Sequence, residues 1–307
     1  MAYELIYTSL QSGLVSSRSG FCTVARSASM PERLAALVEK LSVFEHGKGK
    51  EKYSYNKITY TSEQFYVITA SFDSGKDYTG RTNFISHHIV LSESEIAKYP
   101  NPADLILGYK DKFLKSYTKA PELIKEEVDL SFIAFPERIP CITWQKYFGD
   151  TGYASLLKTA NLDIYSKDGN SLDILALFAE SSSLNVDKKS PWDYTFTTNC
   201  LDIELKQAYN WKVFTDVPSA SKKENCIDLE CAKAPALTEN RFSEYARTAK
   251  KTKMESLDIK AGRPIQASNK FTVIEAKKAI NPMIFLYGSI IVILLSIMFY
   301  LAFTILN

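Results

Sequence analysis

Residues 64–72 read QFYVITASF, and this stretch decides the fold of the chain. Aromatic and β-branched residues dominate it, which is the composition of a β-strand. A shorter run of the same kind at residues 57–60 precedes it, so the two segments predict a β-hairpin. A turn-forming segment at 73–82 is followed by NFISHHIVL at 83–91, which predicts the next strand.

The segments around this hairpin predict further strands and helices. Residues 3–8 and 21–25 predict strands. Residues 31–43 carry apolar residues at helical spacing behind Ser29, which predicts a helix, and the charged residues 48–52 predict a loop. Further helices are predicted at 92–97, 103–107, 151–160 and 172–179, and further strands at 194–198 and 211–213. Because strands and helices do not alternate regularly, the sequence predicts an α+β fold with a mixed sheet and flanking helices.

The predicted folded domain covers residues 1–240. That length is enough for one large or two small hydrophobic cores, and the aromatic content of 12% is that of a globular protein. Residues 110–140 are charged and interrupted by prolines. They mark a possible boundary between two subdomains.

Residues 282–306 are 25 consecutive positions without a charged side chain. A helix of this length rises about 37 Å, enough to cross a hydrocarbon core of about 30 Å with some tilt. A buried helix of a soluble domain rarely runs so far without a polar face. We therefore predict one C-terminal transmembrane helix over 282–306, with a buried or oligomerising apolar helix as the alternative.

Residues 241–281 are predicted to be a basic juxtamembrane linker. From 241 to 278 there are ten basic and four acidic residues, a net charge of +6, which leaves −4 on residues 1–240. Basic residues near a span favour anionic lipid headgroups, by about 1 kcal/mol each, and a solvated linker is the equal alternative. Because the N-terminal part is acidic, nucleic acid is not a predicted partner. The membrane-surface candidates are Lys250, Lys251, Lys253, Lys277 and Lys278.

The charges that flank the span predict its orientation. Lys277 and Lys278 come just before it and nothing basic follows, so the positive-inside rule places the N-terminal domain in the cytoplasm. The first ten residues predict no secretory signal. Five cysteines without regular spacing predict neither a disulfide framework nor a metal site. The predicted location is therefore the cytoplasmic membrane, with a single pass.

Cys22, His87 and His88 are the candidates for catalysis. A cysteine activated by a histidine would form the nucleophilic pair of a hydrolase. Cys22 lies in an apolar strand, however, where a buried inert thiol is more common, and adjacent histidines on a strand point to opposite faces. The chain contains neither GxxxxGK[ST] nor GxGxxG, so no nucleotide cofactor is predicted.

The string Asp77-Tyr78-Thr79-Gly80-Arg81-Thr82-Asn83 is the candidate partner- or ligand-binding segment. The planar guanidinium of Arg81 suits a carboxylate or a phosphate, and Asn83 offers hydrogen bonds to backbone or ligand. The favoured alternative is a local pair between Asp77 and Arg81 that closes the turn. His88, at the end of the same segment, completes the set of candidate binding residues.

These segments also carry a resemblance to a known family. The order YTSLQSGL, SGFCTVARS, DYTGRTNFISHHIVL, TWQKYFGDTGYASLL and WDYTFTTN, over about residues 3–245, resembles the N-terminal domain family of bacterial GTPase-associated proteins, second type. The resemblance implies an adaptor that couples to a GTPase or another NTPase in a bacterial conflict system. It implies no catalytic residues.

Three functional hypotheses follow from the sequence. The first is a non-enzymatic adaptor that holds a GTPase or related NTPase at the cytoplasmic membrane, where tethering raises the effective concentration; anti-phage defence is the expected setting. The second is a membrane effector whose tail helix oligomerises and perturbs the bilayer. The third is a cryptic cysteine hydrolase that uses Cys22 with His87 or His88. The sequence determines neither the homo-oligomeric state nor the identity of the partner.

Overall fold

The computed structural model of the chain describes residues 2–15, 18–47, 51–135, 140–148, 157, 161–167, 171–182, 190–206, 209–215, 226–229 and 241–248. The strands in these residues are β1 (Ala2–Leu10), β2 (Gly20–Ser27), β3 (Glu51–Tyr60), β4 (Glu63–Lys76), β5 (Thr82–Ser92), β6 (Glu122–Ile124), β7 (Leu162–Tyr165), β8 (Phe196–Thr197), β9 (Trp211–Phe214) and β10 (Cys226–Asp228). The helices are α1 (Glu32–Glu39), α2 (Glu93–Ile96), α3 (Pro102–Tyr109), α4 (Pro140–Phe148), α5 (Leu172–Ser182) and α6 (Arg241–Thr248). These elements all fall within one compact unit, Met1–Pro264.

The described strands form one mixed sheet, as the sequence predicts. Their order is β10-β7-β9-β8-β3-β4-β5-β1-β2-β6. The ladder from β3 through β4, β5 and β1 to β2 is antiparallel, and β8 joins β3 in the same sense. Parallel pairs extend both ends: β6 on β2, and β9, β7 and β10 beyond β8. The prediction of an α+β fold with a mixed sheet is confirmed.

The β3–β4 hairpin turns through Thr61 and Ser62. Both residues have positive φ, 46° and 70°, which a two-residue turn of the type I′ geometry requires. The predicted loop over residues 48–52 is wrong at its end, because β3 already begins at Glu51. Lys52 extends the strand because its charged side chain has a buried partner, which is described with the site below.

Helix α1 covers one face of the sheet. Leu34 and Val38 of this helix pack against Leu5, Val67 and Val90 of the central strands. The helix ends at Glu39, whereas its apolar spacing predicts an end at residue 43. The chain leaves the helix early because the residues that follow turn back onto the sheet, where their side chains contact β5.

The opposite face carries the larger core, under α3 and α5. Leu105 and Phe178 of these helices lie in one cluster with Ile68 and Ile89 of the sheet. Helix α3 begins where Asn101 accepts a hydrogen bond from the backbone N of Asp104 at 2.8 Å, as an N-cap does. The tryptophans Trp144 and Trp192 are buried.

The described residues after α3 contribute to this same core and sheet. Phe113 and Leu130 belong to the large cluster, and β6 pairs with β2. The boundary near residues 110–140 stays a prediction.

The predicted linker requires a correction at its start. Residues Arg241–Thr248 form α6, and Phe242 and Ala246 are buried in the large core. The charges of this segment suggested a solvated chain, but Phe242, Tyr245 and Ala246 lie at helical spacing and form one buried face.

Several predictions lie outside the described residues. They are the linker after residue 248, the transmembrane helix over 282–306 and, apart from Leu157, the helix over 151–160. Among the helices that the structure describes, none is both long and apolar enough to span a membrane.

Candidate functional site

The turn between β4 and β5 is built around the carboxylate of Asp77. Its Oδ1 accepts hydrogen bonds from the backbone N and the hydroxyl of Thr79, at 2.8 and 2.6 Å, and from the backbone N of Arg81 at 3.0 Å. Its Oδ2 accepts from Ser9 Oγ and from Arg81 Nη2, both at 3.0 Å. Gly80 adopts a φ of +83°, which closes the turn.

These hydrogen bonds determine the charge state of Asp77. The Thr79 hydroxyl, followed by backbone N–H groups and Ser9, holds the pKa of the Asp77 carboxyl well below its usual range, against the opposing effect of burial. The side chain of Asp77 has no exposed surface, so its negative charge is enclosed by donors. The local pair between Asp77 and Arg81, the alternative favoured by the sequence, is the arrangement that the structure contains.

Asn83 also holds this turn in place, and we call Asp77 and Asn83 together the Asp77 latch. Its Oδ1 accepts hydrogen bonds from Thr8 Oγ1 and from the backbone N of Ser9, each at 3.2 Å. Asp77 and Asn83 therefore fasten the β4–β5 turn to the end of β1. Both side chains are buried, and their acceptor groups face the protein rather than a partner.

Of the candidate binding residues Asp77, Arg81, Asn83 and His88, Arg81 is the one whose side chain faces outward. Its side chain is 65% exposed, although Nε and Nη2 contact Asp77 and Nε also donates to Thr79 Oγ1 at 2.8 Å. The guanidinium lines an open cavity of about 620 Å³. We call the lining residues the Arg81 surface: Ser19, Gly20, Phe21, Tyr78, Thr79 and Arg81.

Aromatic rings from separate segments stack beside this cavity, an arrangement that the sequence does not predict. Phe21 is 40% exposed and stacks on Phe84, with ring centroids 4.7 Å apart. Phe84 in turn stacks on Phe44, at 5.8 Å, and Tyr7 lies 6.2 Å from Phe21. These rings come from β2, β5, β1 and the segment after α1, so only the pairing of the strands brings them together.

His88 is a structural residue in the core. Ser42 Oγ lies 2.8 Å from its Nε2 and Thr69 Oγ1 lies 2.9 Å from its Nδ1, so both ring nitrogens have hydroxyl partners. The ring is fully buried, and burial, with a smaller effect of His87, lowers the pKa of His88 to about 3. This neutral ring faces the α1 side of the sheet, and His88 is not among the residues of the Arg81 surface.

His87 points to the opposite face, as the strand geometry predicts. The backbone N of Leu114 donates to its Nδ1 at 3.0 Å, which places the ring proton on Nε2. Nε2 lies 2.7 Å from Glu4 Oε1, without the alignment of a hydrogen bond. The rings of Tyr109 and Phe113 cover the imidazole edge-on.

The structure does not bring Cys22 and the histidines together. Cys22 pairs with Thr8 of β1, and Thr8 pairs with Ile85 of β5, so β1 lies between the thiol and His87. Two strand spacings separate their backbones by about 10 Å. Burial raises the pKa of the Cys22 thiol, which disfavours the thiolate that a nucleophile requires. The geometry therefore gives the hydrolase hypothesis no support.

The membrane-surface lysines Lys250, Lys251, Lys253, Lys277 and Lys278 lie outside the described residues.

Lys52 and Glu204, which the sequence does not single out, form a buried ion pair with Nζ and Oε2 2.6 Å apart. Nζ also donates to Thr197 Oγ1 and to the carbonyl of Thr198, at 2.7 and 3.0 Å.

The Asp77 latch gives a first testable prediction. Asp77→Asn is expected to open the turn, because the amide nitrogen of asparagine cannot accept the hydrogen bonds that one carboxylate oxygen now accepts. When the full-length Asp77→Asn variant is treated with trypsin under native conditions, cleavage after Arg81 should be severalfold faster than in the unsubstituted chain, since proteolysis requires local opening. Asp73→Asn is the matched control, because Asp73 is half-exposed and contacts His46. Equal cleavage of the two variants would contradict the latch.

Comparison with known proteins adds one finding. Residues 1–128 match the family model described as GTPase-associated protein 1, N-terminal domain type 2. The resemblance predicted from the sequence is therefore confirmed over β1–β6, including the latch and most of the central ladder. The match ends well before residue 245. No curated protein and no solved structure matched the chain.

Proposed function

We propose, from the match of residues 1–128 to the GTPase-associated protein 1 family, that the chain is an adaptor that binds a GTPase and holds it at the cytoplasmic membrane. The match is the observation that supports a GTPase as the partner, and the uncharged run over 282–306 supports the membrane location. A bacterial conflict system is the expected setting. In this role the folded domain supplies the contact with the partner, and the apolar segment 282–306 supplies the anchor.

The chemistry of the matched domain supports binding over catalysis. Asp77, Asn83 and His88 are engaged in internal hydrogen bonds, and Cys22 lies apart from both histidines. Aromatic and arginine side chains are exposed instead, and these residue types are enriched in protein–protein interfaces. This distribution fits a module that recognises another protein.

Affinity purification of the full-length chain, solubilised from its native membranes in mild detergent, tests the GTPase partner. A GTPase is expected to be recovered in a defined ratio to the chain and to survive washing at moderate salt. A single-pass protein with the same tag and an unrelated cytoplasmic domain is the control. Recovery of chaperones and abundant membrane proteins alone would contradict the proposal.

Membrane anchoring is tested separately. The full chain is expected to sediment with membranes and to resist extraction with alkaline carbonate, whereas a variant that ends at residue 281 should remain in the supernatant. Replacing residues 282–306 with an unrelated apolar helix should preserve both location and partner recovery, because an anchor depends on hydrophobic length. If the replacement keeps the chain in the membrane but abolishes its expected effect on phage defence, the membrane-effector hypothesis is favoured over the anchor hypothesis.

A further inference from the structure

We infer that the Arg81 surface is the docking site for the partner, and that it receives an acidic side chain flanked by apolar side chains. The inference rests on the proposed function for the class of the partner. The chemistry that we infer for the bound side chains rests on the described residues of the Arg81 surface alone. Three features carry it: an arginine whose guanidinium is held by Asp77 and Thr79, an exposed aromatic platform, and ion pairs whose positive member is the one exposed to solvent.

The position of Arg81 is fixed before any partner binds. Asp77 holds Nε and Nη2, and Thr79 holds Nε from the side. Asp77 is itself held by Ser9 of β1, so the guanidinium is tied to the sheet. A long side chain that is already ordered loses little rotational entropy on binding, which makes its contacts with a carboxylate more favourable.

The aromatic platform supplies the apolar part of the site. Phe21 and Tyr78 are 40% and 51% exposed and line the cavity together. Phe21 is supported from below by Phe84 and Tyr7, so its ring presents a rigid surface. Tyrosine, tryptophan and arginine are the side chains that most often dominate binding energies at interfaces.

The charge distribution selects an acidic partner. The carboxylate of Asp77 is fully enclosed, whereas Arg81 is 65% exposed, so the pair shows its positive member to solvent. Arg18, which precedes Ser19 in the sequence, is likewise the more exposed member of its ion pair, at 60% against 21% for Glu39. A carboxylate in the cavity would accept charge-assisted hydrogen bonds from Arg81, while flanking apolar side chains would cover the rings.

A peptide titration with the full-length chain in detergent tests this surface directly. The probe is a fluorescent synthetic peptide with an Asp–Glu pair between Leu and Phe, compared with its Asn–Gln and Lys–Lys counterparts. Tyr78→Ser and Arg81→Gln are each expected to weaken binding of the acidic peptide by about tenfold or more, as truncation of an interface anchor does. Phe132→Ser and Lys119→Gln are the matched controls, because they remove an exposed ring and an exposed charge elsewhere.

The possible outcomes separate this inference from the proposed function. The Tyr78 variant leaves the Asp77 latch intact, so it answers the question even if Arg81→Gln disturbs the turn. If the two site variants and the two controls bind the acidic peptide with equal affinity, the inference is overturned. A preference of the chain for the Lys–Lys peptide would also overturn it, and so would displacement of the acidic peptide by inorganic phosphate or GTP. A changed oligomeric state of Tyr78→Ser in sedimentation would also overturn it, in favour of a second copy of the chain.

The purified GTPase provides the second arm of the test. Loss of the GTPase from Tyr78→Ser and Arg81→Gln preparations, but not from the controls, would support the inference. Undiminished recovery with both site variants would overturn the docking site and leave the proposed function standing. Selective binding of the acidic peptide without recovery of any GTPase would support the chemistry of the site and contradict the proposed partner.

Discussion

Glu204→Gln is expected to lower the free energy of unfolding by about 3–5 kcal/mol, because it leaves the buried ammonium of Lys52 without its counter-ion. Burial lowers the pKa of Lys52 even in the presence of Glu204. Without the carboxylate, the chain could instead bury Lys52 in its neutral form. Removing the proton from Lys52 costs about 1.4 kcal/mol for each pH unit by which the solution lies below the ordinary pKa of lysine. At neutral pH this route also costs several kcal/mol, so the two estimates agree.

The pair connects two parts of the sheet, which explains why its loss should be felt globally. Lys52 lies on β3 within the matched domain, and Glu204 follows β8 outside it. The backbone N of Leu201 donates to Glu204 at 2.8 Å, and Thr197 donates at 3.2 Å, so the carboxylate also orders its own loop. The region after residue 128 is therefore part of the structural support of β3.

Urea denaturation of the full-length chain, followed by tryptophan fluorescence, provides the measurement. The stability of Glu204→Gln should rise with pH toward 10, because the unfolded chain binds the Lys52 proton more tightly than the folded one. Lys98→Met, which breaks the exposed pair with Glu95, is the control and should change stability little. A Glu204→Gln variant as stable as Lys98→Met would show that the buried pair is not needed.

Local sequence patterns predict the hairpin ladder because each strand carries its own signal. The runs at 64–72 and 83–91 are rich in aromatic and β-branched residues, and both are strands in the structure. Lys52 shows where that logic fails. In the charged run around residue 50 it has the pattern of a loop residue, and only Glu204, 152 positions away, makes its burial possible.

The candidate site shows the same division between local and distant information. The Asp77–Arg81 pair was foreseeable, because its members are four residues apart in a glycine turn. The partners of Asn83 were not, because Thr8 and Ser9 come beside it only when β1 pairs with β5. The stack of Phe21 on Phe84 likewise depends on the order of the strands, which residue spacing does not reveal.

Acidification is the second change expected to have a large effect, and His88 is its principal origin above about pH 4. The folded pKa of about 3 lies below the ordinary value of 6.5, because the ring is fully buried and His87 is adjacent. Between these two values the unfolded chain binds a proton that the folded chain does not. The contribution of neutral His88 to the free energy of unfolding is therefore complete above pH 6.5. Below that pH the free energy of unfolding falls by about 1.4 kcal/mol for each pH unit, a loss of several kcal/mol by pH 3.

His88→Asn tests this origin, because asparagine keeps a polar group near Ser42 and Thr69 but does not titrate. The variant should be less stable than the native chain at pH 7, yet its stability should change much less between pH 6.5 and 4. His46→Asn is the control: its partner Asp73 is half-exposed, so the native slope should persist. Below about pH 4 the hydrogen-bonded carboxylates Asp73, Asp77 and Asp129 also reduce stability, because their pKa values are lowered in the folded chain and the unfolded chain therefore binds these protons first. The comparison is therefore decisive between pH 4 and 6.5, where an unchanged slope in His88→Asn would assign the acid sensitivity to another group.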